Sequence, residues 1–317
     1  MNAARRRSMA LRRFAGSITL VTVLGHTLLG FEQAYLTPIV GAVTGVAAEF
    51  VLETVEAWAW RRPARYLRSR PGRVTDFFLP SYTTGLTCAM LLYGGAHPMP
   101  VVLAALIGVG STYVLRVRAP GGAGHLAASA PGRHYMNPSC FGAVAVLLLF
   151  PWVGVAPPYQ FTEWVSGPFD ALVPLAALTL GTMANARPTG RLPLVLGWVG
   201  GFALQGVVRG ALTDVSTVGA LLPMTGVAFV LYTTCLITDP GTTPVRPRAQ
   251  AAFGLATAVV YGLLVQFDIG YGLLLALVIV CAGRGAGLAL FARVRPLTVP
   301  VPADARELSD LPAGVKP

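Results

Sequence analysis

Gly132-Arg133-His134-Tyr135-Met136-Asn137-Pro138-Ser139-Cys140-Phe141 is a basic, polar turn that passes without a spacer into the apolar run from Gly142 to Phe150, and then Pro151. Asn137 is a favoured N-cap, and Pro138 takes the first helical position, where a missing N–H costs nothing. A helix therefore starts at a polar boundary and enters a nonpolar medium at once. Such a mouth turns unpaired N–H groups and partial positive charge outward, with Arg133 and His134 beside it, and suits an anionic headgroup or a phosphate. An ordinary capped membrane helix accounts for the same residues.

The remainder of the chain agrees with a membrane setting. Its 317 residues are 54% hydrophobic and only 12% charged, about half the charge of a soluble domain, and the mean hydropathy is +0.64. Apolar runs recur at close to membrane-spanning length, which predicts an all-α, polytopic membrane protein. Ten spans are predicted: 14–31, 35–58, 77–93, 98–115, 138–155, 171–184, 192–208, 218–237, 251–265 and 271–291. Several are shorter than the ~20 residues that cross a bilayer, as half-helices or tilted segments would be. The organisation that follows is a basic cytoplasmic tail (1–13), a first membrane half (14–155), a second membrane half (156–296) and a cytoplasmic C-terminal tail (297–317).

Charge placement tests that count. With the N-terminus inside, the cytoplasmic segments collect Arg5 to Arg13, Arg61 to Arg73, Arg116, Arg118, Arg133, Arg187, Arg191, Arg246 and Arg248, while the outer segments keep only Arg209. The positive-inside rule thus puts both termini in the cytoplasm of a multi-pass plasma-membrane protein, and explains the net charge of +11 without nucleic acid. The arginines near the N-terminus are similar to a twin-arginine export signal, but no small-x-small cleavage site follows, so a retained anchor is expected. Two stretches, Leu79-Pro80-Ser81-Tyr82-Thr83-Thr84-Gly85 and Leu222-Pro223-Met224-Thr225-Gly226, each open the third span of a five-span half. Because five is odd, the halves are expected to be inverted repeats with a site near their pseudo-twofold axis.

A second break ends the eighth span at Thr238-Asp239-Pro240-Gly241-Thr242-Thr243-Pro244. Pro240 forces Asp239 out of helical geometry, leaving its carboxylate to accept backbone N–H groups, pair with Arg246 or Arg248, or orient a ligand. Glu49, Glu53 and Glu56 share one helix face. Glu53 and Glu56 are expected to pair with Arg61, Arg62 or Arg65, whereas Glu49 lies deepest and is the membrane carboxylate that could carry a proton or cation. Cys88, Cys140, Cys235 and Cys281 lie in apolar stretches without a CxxC and read as small hydrophobes, not as a disulfide framework. A tetrathiolate iron site would need all four, and no metal site is expected. His26 and His97 are isolated and expected to bond locally. No Walker loop, catalytic triad motif or HExxH is present, which argues against a stand-alone hydrolase or transferase.

The break Ile237-Thr238-Asp239-Pro240-Gly241-Thr242-Thr243-Pro244, the basic loop after it, Phe253-Gly254 and Tyr261-Gly262-Leu263 resemble the RnfD/NqrB family of membrane electron-transport subunits. Met136-Asn137-Pro138-Ser139 resembles that family's Asn-Pro-Ala/Ser helix start, Phe150-Pro151 its usual end, and Asp76 fits the opening of the third span. The resemblance spans residues 35–290 and is most similar to the UnbU-type membrane proteins of enediyne biosynthesis. It implies a redox or electron-transfer accessory in natural-product assembly, working with redox or biosynthetic partner proteins on the cytoplasmic face. Arg133, His134, Asn137, Pro138 and Ser139 would then line a cofactor mouth, with Thr238, Asp239 and Thr242 opposite. One departure bears on the cofactor. The family's Ser/Thr-Gly-Ala-Thr segment, whose threonine is esterified by FMN, is replaced here by Trp164-Val165-Ser166-Gly167-Pro168-Phe169-Asp170. Covalent FMN is therefore not expected, and a non-covalent flavin (FMN or riboflavin), a quinone or no cofactor stay open. A transporter or channel-like protein on the same scaffold, moving a metabolite, small solute or ion, is the competing expectation. A third is a scaffold that holds soluble enzymes at the membrane through its basic face.

Overall fold

The structure, a computed structural model, describes residues 3–27, 30–67, 71–95, 97–117, 132–157, 169–183, 189–212 and 216–294. Within them the chain is a bundle of helices: α1 (Ala3–Thr27), α2 (Leu36–Ala59), α3 (Pro71–Leu91), α4 (Met99–Val114), α5 (Pro138–Leu149), α6 (Phe169–Gly181), α7 (Leu192–Leu212), α8 (Thr217–Leu221), α9 (Val227–Leu231), α10 (Pro247–Gln266) and α11 (Gly272–Val294). Helix falls in every predicted span. Four helical stretches, Leu36–Ala59, Leu192–Leu212, Pro247–Gln266 and Gly272–Phe291, are long and apolar enough to cross a membrane. Apolar side chains such as Ile39, Val43, Val51, Val55, Val259 and Leu263 stand exposed on the outer faces of α2 and α10. A water-soluble bundle would bury such a surface, and a lipid-facing one leaves it outside. The protein is an α-helical membrane protein.

Without a hydrophobic drive between helices in lipid, close packing of small residues has to supply contact. α2 and α3 meet this way: a Cβ on Gly41 would lie 2.5 Å from the Gly85 carbonyl oxygen, and one on Gly85 would collide with the Gly41 carbonyl. α7 packs closely on α10 in the same manner, Gly254 facing the backbone of Leu194 and Trp198. In the first half α1 packs on α3, α2 on α3 and α4, and α4 on α5. In the second, α6 packs on the broken segment 217–236, α7 on α8 and α10, and α10 on α11. The halves meet through α5 and α11.

Four two-residue strands tie the ends. β1 (Leu92–Tyr93) pairs antiparallel with β4 (Gly154–Val155), and β2 (Arg116–Val117) with β3 (Arg133–His134). The two ribbons lie at opposite ends of the bundle. The β2–β3 end is strongly basic: Arg116 donates to Glu56 at 2.6 Å, Arg62 and Arg65 both clamp Glu53, and Arg12 pairs with Asp76 at 2.7 Å.

Several boundaries differ from expectation. α1 starts at Ala3, so Arg12 and Arg13 are helical and continuous with the first predicted span. α5 stops at Leu149, because Pro151 follows and Gly154–Val155 is drawn into β4. The two Pro/Thr/Gly stretches also diverge. α3 runs unbroken through Pro80, whose carbonyl accepts the hydroxyls of Thr83 (2.8 Å) and Thr84 (2.9 Å). The Pro223 stretch instead tightens into a 3₁₀ turn over Leu222–Thr225, with Gly226 extended before α9. The Ser166-Gly167 segment, Arg118, Arg187 and the tail 297–317 lie outside the described residues.

Candidate functional site: a junction of two helix breaks

Asn137 is where the halves join. Its side-chain oxygen accepts the Cys140 N–H at 3.0 Å, the N-cap bond of α5, while its side-chain amide donates to the Leu236 carbonyl at 3.0 Å. Leu236 closes a π-turn, Tyr232–Leu236, that directly precedes Thr238-Asp239-Pro240. A π-turn leaves carbonyls without their usual partners and is frequent at functional positions, and here the first half's cap satisfies one of them. Asn137 is buried at 4% exposure, so both bonds are shielded from water. The two predicted stretches therefore share one place.

The Asp239 loop is held from within. The Asp239 carboxylate accepts the Gly241 N–H at 2.9 Å and the Thr242 hydroxyl at 3.2 Å, and its backbone carbonyl accepts the Thr243 hydroxyl at 2.6 Å. This is the turn that an Asp before Pro-Gly favours. Of the alternatives open for Asp239, the structure shows backbone capping and no ion pair with Arg246 or Arg248. Thr238 back-bonds to the Thr234 carbonyl at 2.7 Å. A Cβ on Gly241 would lie 2.6 Å from His134 Nε2, so the His134 side chain sits directly on the loop.

Two arginines that the sequence reading did not single out as site residues complete the junction. Arg191, just before α7, is buried at 6% exposure and donates to the Pro244 and Pro240 carbonyls. Arg284, inside α11, donates to the Thr242 carbonyl at 2.6 Å. Burial pulls the Arg191 guanidinium below its ordinary pKa, with Arg133 and Arg284 acting the same way against the nearby Asp239. Arg191 thus lies close to the Asp239 carboxylate and to two further guanidinium groups. In the sequence Arg191 falls among the orientation charges and Arg284 inside an apolar run. The missed signal for Arg284 is an arginine in mid-span, which needs a carbonyl or carboxylate partner.

The expected residues divide by accessibility. Asn137, Ser139, Thr238 and Thr242 are buried, and Pro138 is fixed as the first residue of α5. Arg133 is exposed and His134 half-buried, and among the described residues neither side chain has a hydrogen-bond partner. The donor set at this rim fits a phosphate-bearing group better than an uncharged quinone.

Away from the junction, Glu49 is buried and accepts Ser81 Oγ at 2.6 Å and the Tyr113 hydroxyl at 2.8 Å. No cation lies within ion-pair distance of it among the described residues. Glu53 and Glu56 pair with Arg62 and Arg65, as expected, and Arg116 joins them. His26 sits 2.8 Å from the Thr22 carbonyl, and His97 meets the edge of Trp152. All four cysteines are free and buried, and no group of three or more His, Cys, Asp or Glu suited to a metal occurs among the described residues. No protein-family model matches the chain, and no curated protein is similar to it.

Proposed function

We propose that the protein is a ten-span plasma-membrane member of the RnfD/NqrB type, most like the UnbU-type proteins, and a redox or electron-transfer accessory in natural-product (enediyne) assembly. In this reading its spans form two inverted five-helix halves, with both termini and the basic end in the cytoplasm. The parallel order of packed helix pairs in the two halves supports the repeat, as do Gly41 and Gly45 on the second predicted span and Gly197 and Gly201 on the seventh. The observation that carries the functional reading is the bond from the Asn137 amide to the Leu236 carbonyl. It couples the Asn-Pro-Ser and Thr-Asp-Pro breaks, the two segments whose likeness to that family is strongest.

A non-covalent flavin mononucleotide is the cofactor whose phosphate suits the rim, and it would supply one- and two-electron transfer. Arg133 and His134 would hold the phosphate. Asn137 would fix the angle between the halves, and Arg191, Arg284 and Asp239 would keep the 238–244 loop rigid beside them. The partner would be a redox or biosynthetic protein docking on the basic end. The test is the absorption spectrum of the detergent-purified protein, with the released flavin measured after acid precipitation. Flavin bands, weakened in Arg133→Gln, are expected; protein that carries neither flavin nor extractable quinone overturns the redox reading.

A second reading, a proton- or ion-coupled transporter on the same scaffold, is favoured by one observation. Glu49 is a buried carboxylate in a membrane helix whose partners are hydroxyls, and such groups mark ion or proton paths. Solute or proton flux in proteoliposomes that is abolished by Glu49→Gln, from protein without cofactor, would select it.

A further inference from the structure

On the outer side of the same loop lies a groove of about 510 Å³, lined by Pro244, Val245, Arg246, Ala252, Phe253, Arg284 and Leu288 among others. Its lining is of two kinds: the side chains of Arg246 and Arg284, the latter reaching the Thr242 carbonyl of the loop, and the apolar Ala252, Phe253 and Leu288 on α10 and α11. No carboxylate among the described residues lines it. The guanidinium of Arg246 is exposed and makes no hydrogen bond or ion pair among the described residues, and Arg284 commits one nitrogen to the Thr242 carbonyl. Five N–H donors per guanidinium leave most of this capacity for an incoming anion. α10 also begins here, with Pro247 in its first turn and no side chain capping it, so its unpaired N–H groups add positive potential.

We propose that this groove binds an anionic phospholipid of the leaflet at the basic end, with the headgroup phosphate between Arg246 and Arg284 and an acyl chain along Ala252, Phe253 and Leu288. Charge complementarity selects the headgroup. A soluble phosphate would use the arginines but not the wall, and a neutral lipid would use the wall but leave two cations unanswered. Because the wall belongs to α10 and α11, both long enough to span the membrane, the chain lies parallel to those helices as a bilayer lipid does. Arg284 also braces Thr242, so the lipid would touch the junction loop through one shared side chain. The proposal does not depend on the redox reading.

Thermal unfolding of the full-length protein in neutral detergent tests it, with titrations of phosphatidylglycerol, phosphatidylcholine and inorganic phosphate. Phosphatidylglycerol is expected to raise the midpoint in a saturable way and the other two are not. Arg246→Gln should weaken the apparent affinity about tenfold, as loss of a charge-assisted contact does, and Ala252→Trp, at an exposed position that fills the groove, should abolish saturation. Arg248→Gln, two residues along and outside the lining, should leave the affinity unchanged. Equal stabilisation by phosphatidylcholine or by inorganic phosphate would overturn the proposal. So would an Arg248→Gln effect as large as that of Arg246→Gln, which would mean general attraction to a basic surface. Arg284→Gln removes the brace on Thr242 together with a headgroup partner, so the decisive variants are those at 246, 248 and 252.

Discussion

Replacing Asn137 by alanine should cost more stability than any ordinary helix-cap mutation. Two buried bonds disappear together: the cap to the Cys140 N–H and the link to the Leu236 carbonyl, both 3.0 Å. Loss of an N-cap costs about 1 kcal/mol, and a buried carbonyl left without its donor costs about 1–3 kcal/mol. The sum is about 2–4 kcal/mol. Asn137→Ser separates the parts. Serine is a favoured N-cap but cannot reach across to α5's neighbour with a second donor, so it should keep the first term and lose only the second, about 1–3 kcal/mol. Reversible unfolding in mixed micelles, titrated with SDS and followed by tryptophan fluorescence and circular dichroism, gives both values. If Asn137→Ser matches wild type while Asn137→Ala loses about 1 kcal/mol, only the cap matters, and the coupling of the two breaks through this side chain is refuted.

Other sites test the packing and the charges. Gly85→Ala should destabilise by about 1–3 kcal/mol through overpacking against the Gly41 carbonyl, whereas Gly110→Ala, with open space at its Cα, should be neutral or slightly stabilising in the same unfolding assay. Glu53→Gln should cost about 3 kcal/mol, because Arg62 and Arg65 lose the carboxylate that both of them clamp; a change under about 0.5 kcal/mol would make that clamp an ordinary surface pair. Asp76, where desolvation is outweighed by the Ser8 hydroxyl and Arg12, is held below its ordinary value of 3.8. The sign follows from the depressed folded value: its contribution is present above pH 3.8 and fades as pH falls through the folded pKa. Arg12 is half exposed, so Asp76→Asn should cost at most about 1 kcal/mol near neutral pH, and the difference from wild type should vanish in acid.

Much of the site was legible because its signals are local. Asn137-Pro138 specifies a capped helix start by itself, and Asp239-Pro240-Gly241 specifies a helix end and a turn, with self-capping of the carboxylate one of three fates open to it. The Glu53 and Glu56 pairing follows from helix spacing plus a nearby run of arginines. What the sequence could not give was the partner of each group across the bundle. Nothing local says that the Asn137 amide has a second role, since that depends on a carbonyl freed by a π-turn 99 residues away. The same limit hid Arg284, whose partner is a backbone carbonyl and so leaves no complementary residue to notice. Pro80 and Pro223 show the limit in another form. The two stretches look alike in composition, yet Thr83 and Thr84 return hydrogen bonds to Pro80's carbonyl and keep α3 whole, while Gly226 lets the second segment extend.

The distribution of polar bonds also bears on what can move. At the Glu53 clamp, five charged groups lock the end of α2 to the 60–67 loop and to β2. At the junction, by contrast, the cations hold backbone carbonyls of one loop, and the halves are joined by the packing of α5 on α11 and by a neutral amide between α5 and the π-turn. A neutral bond is worth about 1 kcal/mol net, less than one made to a charged group. Relative motion of the halves would have to break this bond and slide α5 on α11, and it would carry the 238–244 loop as a rigid piece, because Arg191 and Arg284 grip three of its carbonyls. Either function considered for this scaffold, electron transfer gated by a partner or alternating access, would act on that hinge before it acted on the clamp.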